Sequence, residues 1–234
     1  MYRQSLNALN QEAKTYMESI ATHCPFTKPS HEAGLLNFSA YKVGKHAIEK
    51  VYLLAAIHTE ILRIDRRKLP SNQGFLLCEN LIIEFENLNQ IKDFKTVFDW
   101  VHWILKCTYT TRKLVFGKFW KGEVAESRRG IPLPPPPVNL LSCRTLLDPN
   151  DLRFFDKTPE FYDAFKKATD SEDTTSLIDV IGVETCAAVE KLTDQLMQEG
   201  YFHKVLDEVV KIEYKLGKKH VTNQLLGNTA LLGM

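Results

Sequence analysis

Apolar side chains recur along most of this chain at the three- and four-residue spacing of a helix face. Between Gln4 and Ile20, the positions Leu6, Leu9, Ala13, Met17 and Ile20 share one stripe, which Pro25 and Pro29 interrupt. The next segment, from Phe38 to about Leu69, carries Ala47, Val51, Leu54, His58 and Ile61 on one face and further apolar residues from Tyr52 to Ala56. A helix that is apolar on nearly all sides is one surrounded by neighbours, so this segment is expected at the centre of the molecule. Pro70 to Gly74 reads as a turn, and Phe75, Cys78, Leu81, Ile82, Phe85 and Leu88 repeat at helical spacing beyond it. The series Phe94, Val97, Phe98, Val101, Ile104 and Leu105 is the cleanest stripe in the chain. It is expected to run on towards Gly122, with a weak point at Thr108 to Thr111, where β-branched residues lower helix propensity.

Residues 128–139, RRGIPLPPPPVN, hold five of the ten prolines. Proline fixes φ and lacks the backbone donor, so the stretch is expected as polyproline II between two helical parts. Beyond it, Asp148 to Asn150 forms a turn, and Thr158 with Pro159 and Glu160 opens a helix with proline in its first turn. Two further helices follow, from about Val183 to Glu199 and from Phe202 to Leu216. Gly200 and Gly217 are their C-terminal stops. With no sustained alternating run and no repeat of solenoid length, the expectation is an all-α, multi-helix bundle. Its parts would be residues 1–126, a proline-rich linker over 127–139, and residues 140–234.

Composition narrows function more than fold. Of 234 residues, 44% are hydrophobic and 25% charged, a globular balance. Thirty Lys and Arg against 29 Asp and Glu leave a net charge of +1, so nothing global attracts nucleic acid or an anionic membrane. Cys24, Cys78, Cys107, Cys143 and Cys186 are odd in number and form no C-x-x-C pair, a usage that suits buried thiols in the cytoplasm. The longest nearly uncharged apolar run, Val51 to Ile57, is too short to span a membrane.

Candidate chemistry is sparse. Nucleophile elbows, phosphate loops and H-E-x-x-H are absent from the sequence, and so is E-x-x-H, which a helical-bundle di-iron centre requires. No metal and no cofactor is expected. Arg129, Pro132, Leu133, Pro134 and Pro135 lie within an R-x-x-P-x-x-P pattern that resembles SH3 ligands, and the proline run loosely resembles EVH1 and profilin ligands. A stiff spacer explains the same residues. Phe116, Lys118, Phe119, Trp120 and Lys121 have the aromatic and basic mixture of a membrane-surface contact, although such aromatics also close cores. His58, Glu60 and His102 are the candidates for a pocket between helices. The leading expectation is a non-enzymatic module that binds a protein partner. Its rivals are an enzyme or small-ligand binder using that pocket, and a peripheral membrane protein.

Overall fold

The computed structural model, which describes residues 2–22, 27–89, 91–127, 130–147, 151–156, 158–159, 161–162 and 186–217, corrects the all-α bundle. The fold is mixed α/β, because four strands among the described residues build one sheet. The strands are β1 (Leu36–Val43), β2 (Cys78–Phe85), β3 (Leu114–Phe119) and β4 (Leu140–Thr145), in the order β1-β2-β4-β3. β1 and β2 are parallel, and β4 runs antiparallel to both of its neighbours. The helices are α1 (Tyr2–Ala21), the short α2 (Thr27–Glu32), α3 (Ala47–Lys68), α4 (Ile91–Tyr109), α5 (Cys186–Gln198) and α6 (Tyr201–Lys215).

Register fixes the two faces of the sheet, because paired residues point the same way. Tyr41, Leu81, Ile83, Leu141 and Cys143 join the large core formed with α3, α4, α5 and α6. Ile82, Leu140 and Phe119 face the other way and meet Ala13, Tyr16, Met17 and Ile20 of α1. The sheet is therefore covered on both sides.

Three predicted helical stretches change identity. Residues from Phe38 onward are strand before they are helix, and α3 begins at Ala47, after His46 has taken a left-handed φ of 56°. The stretch from Phe75 to Leu88 is chiefly β2, of which all eight residues except Glu84 are buried. A strand covered on both faces loses the alternation that would mark it. The α4 pattern stops at Tyr109, where Thr110–Arg112 tighten into one 3-10 turn and Lys113 takes a φ of 57° that redirects the chain into β3. The prolines do not separate two helical parts, since residues 120–139 link β3 to its sheet neighbour β4. Within that arm Leu133 donates to the Ala125 carbonyl, and Glu126 bridges Pro132.

Helices α1, α5 and α6 lie where periodicity places them. Gly200 and Gly217 have φ values of 64° and 68°, the left-handed geometry their positions require. Arg129, the Asp148 to Asn150 turn and the tail from Val221 lie outside the described residues, as do Cys24 and Glu160. Among the described residues no helix is long and apolar enough to cross a membrane.

Candidate functional site

Helix α3 carries a glutamate where its pattern asks for an apolar residue. Glu60 is fully buried, and one turn later Arg63 is also fully buried, donating from Nη1 to Glu60 Oε2 at 2.8 Å. Arg112, in the 3-10 turn after α4, donates from Nη1 to Glu60 Oε1 at 2.9 Å. One carboxylate thus serves two guanidinium groups, and Arg63 Nε and Nη2 have no hydrogen-bond partner among the described residues. Burying a charge costs several kcal/mol unless it is paired, so this cluster is unusual for a core.

Arg112 is the member that reaches open space. It lines a cavity of about 500 Å³ between α3, α4 and α6. Its guanidinium carbon lies 5.1 Å from the ring centre of Tyr109, which fixes the fork over an aromatic face. Tyr52 of α3 and Tyr201 of α6 contribute two more phenols, while Phe161, Val205, Ile212 and Leu216 make much of the remainder apolar. Exposed Lys204 and Glu208 of α6 stand at the rim.

The α6 wall is held by specific contacts. Trp103 Nε1 of α4 donates to the buried Glu213 carboxylate at 2.8 Å, and Phe202 packs on Tyr52 with ring centres 5.6 Å apart. Burial pushes the Tyr52 and Tyr109 hydroxyls well above the ordinary phenol value, reinforced by neighbouring Tyr201 and Glu60 respectively. Tyr201 is raised as well, again chiefly by burial. All three are neutral hydroxyls at physiological pH.

The sequence candidates scatter. His58 is buried on the opposite flank of α3, with Nε2 2.7 Å from Tyr41 Oη and Nδ1 3.3 Å from Glu79 Oε2. Asn37 donates to the other Glu79 oxygen at 2.6 Å, which completes a polar relay that does not line the cavity. Glu60 sits directly behind the cavity through Arg112 rather than in its lining. Phe116 is in the core, Phe119 packs edge-on against Tyr16, Lys118 pairs with Asp99, and Lys95 lies over Trp120. Lys121 is exposed and its backbone N–H donates to Asn139. Pro132, Pro134 and Pro135 are exposed and Leu133 is half-buried. Among the described residues no group of three His, Cys, Asp or Glu side chains is placed to hold a metal ion.

His102 donates from Nε2 to the Phe116 carbonyl at 3.1 Å. Burial, then the charges of Lys118 and Lys106, depress its pKa to about 3 against the opposing effects of that hydrogen bond and Asp99. The unfolded chain therefore binds a proton near the ordinary value of 6.5 that the folded chain refuses. Stability is whole above that value and is expected to fall by about 1.4 kcal/mol per pH unit below it. The loss is complete only as the pH nears about 3, where the folded chain takes up the proton as well. Urea midpoints at pH about 7 and about 5 should diverge in the natural protein and converge in His102→Gln. Equal divergence in both proteins would remove His102 from the account.

The profile of one protein family, described as "Domain of unknown function (DUF6875)", matches residues 21–178, more than half of the chain. This chain belongs to the DUF6875 family. No curated protein and no solved structure matches it. The matched residues include the sheet, α3, α4 and Arg112, while α5 and α6 lie beyond them. In this DUF6875 chain one wall of the cavity therefore comes from sequence outside the family match.

Sequence reasoning missed the cavity residues. Arg112, Tyr109 and Tyr201 have no role assigned from the sequence, and Tyr52 enters only as the start of an apolar stretch. The usable signal was Glu60 itself, an acid one turn past the apolar run from Val51 to Ile57 in α3.

Proposed function

We propose that the protein binds a small, largely apolar molecule in the cavity between α3, α4 and α6. The observation that carries this reading is a half-open cavity of about 500 Å³ whose largely apolar lining carries the Arg112 guanidinium and the rings of Tyr52, Tyr109 and Tyr201. Small-ligand sites have this size and this division between apolar lining and sparse polar anchors. A protein-docking role would rest on the exposed Pro132, Pro134 and Pro135 alone, and the neighbouring Pro136 is already buried against the body. Cys78, Cys107 and Cys143 are buried thiols outside any disulfide, which supports a reducing compartment such as the cytoplasm.

Val205 is buried and lines the cavity, so Val205→Trp would fill it without adding charge. The uncharged fluorophore phenylnaphthylamine is expected to bind the natural protein and to lose at least about tenfold in affinity in Val205→Trp, equivalent to roughly 1.4 kcal/mol. Equal affinity for both proteins, or failure of this probe and of its sulfonate alike to bind the natural protein, would end the ligand-site reading.

A further inference from the structure

The charges around the cavity constrain the chemistry of its occupant, provided that the cavity is a ligand site. We propose that the ligand is a small anion with an apolar or aromatic body, its carboxylate, phosphate or sulfonate group held by Arg112 with Lys204 as a second cation.

Among the described residues, Arg112 and Lys204 line the cavity against a single carboxylate, Glu208, and Glu208 already binds Lys211 at 2.6 Å. Behind the lining, Glu60 cannot neutralise Arg112 fully, because its other oxygen is committed to Arg63 at 2.8 Å. The three-residue cluster keeps one uncompensated positive charge, and Arg112 is its outlet to the cavity. Only Arg112 Nη1 is engaged, leaving the rest of the guanidinium fork without a hydrogen-bond partner among the described residues. The fork is anchored at Glu60 and laid over Tyr109, so an anion meets donors that need little reordering. Arginine binds carboxylate, phosphate and sulfonate oxygens in paired N–H···O bonds that a lone ammonium does not reproduce.

The tyrosines fit the same occupant. As neutral hydroxyls they add no competing negative charge, and their rings with Val205 and Ile212 supply an apolar bed for the ligand body. A cation would face Arg112 with no free carboxylate among the described lining residues to answer it. A fully apolar molecule would leave the guanidinium desolvated and unpaired, which is costly.

The test uses two probes with the same ring system, anilinonaphthalene sulfonate and its uncharged parent phenylnaphthylamine, titrated into the full chain by fluorescence. The sulfonate should bind about tenfold to a hundredfold more tightly than the parent. Arg112→Met should bring that ratio close to one, and Lys204→Met should lower it by a smaller factor. Circular dichroism of each variant reports whether it folds. If Arg112→Met does not fold, Arg112→Lys replaces it, and an undiminished ratio there overturns the role of the fork. Equal affinity for the two probes in the natural protein, with both lost in Val205→Trp, would overturn the anion inference while leaving the cavity as a ligand site. Failure of both probes to bind the natural protein would overturn both.

Discussion

Replacing Glu60 with alanine is expected to destabilise the protein by about 3–5 kcal/mol, the usual cost of leaving a buried partner charge without its counter-ion. Arg63 has no exposed surface, and Glu60 is its hydrogen-bonded partner among the described residues, so the orphaned guanidinium cannot recover by reaching water. Arg112 can, because its side chain is partly exposed at the cavity. The deficit is therefore assigned to Arg63, and removing that charge as well, in Glu60→Leu with Arg63→Met, should recover most of it, since apolar replacements of buried ion pairs are often close to neutral. Urea denaturation of the single and double variants checks the pattern. A loss below about 1 kcal/mol in Glu60→Ala, the range of a solvent-screened pair, would mean that the cluster is hydrated.

Phe202→Ala is the second large effect, at about 3–5 kcal/mol. Phe202 is fully buried, one of the largest such side chains, and it packs on Tyr52 of α3. Its deletion would open a void where α6 meets the central helix. Because α6 shares a core with the sheet, unfolding should remain a single transition at a lower denaturant concentration, with fluorescence and far-ultraviolet dichroism coincident. An early transition confined to α5 and α6 would show instead that this pair is held only loosely. Val205→Trp, which adds bulk on the same helix, should cost far less because it enters existing space.

The contrast between α6 and β2 explains what the sequence discloses. Phe202, Val205, Leu206 and Val209 are buried while His203, Lys204, Asp207 and Glu208 are exposed, so the helix writes its period into the chain. In CENLIIEF of β2 nearly every position is buried, and its apolar residues fall by chance at spacings a helix would also give. β4 is hidden for the same reason, since Leu140 and Leu141 point to opposite faces and both are covered. In β3 the sequence KLVFGKFW suggests an amphipathic surface, but its aromatics face two different cores. The site was legible only through Glu60, because the meeting of Tyr52, Arg112 and Tyr201 depends on which helices the sheet brings together.

The position of β4 bears on how the chain acquires its form during synthesis. Of the described strands, the one translated last takes an interior place, so a nascent chain that has emerged only through Phe119 holds β2 and β3 with no bridge between them. Each then offers a raw inner edge, the kind of surface that recruits other chains. The proline-rich arm of residues 120–139 must be complete before Leu140–Thr145 can slot in and close the gap. Assembly of this sheet is thus delayed until the arm and Leu140–Thr145 have emerged, and ribosome-bound intermediates ending within the arm are the species that would most need a chaperone.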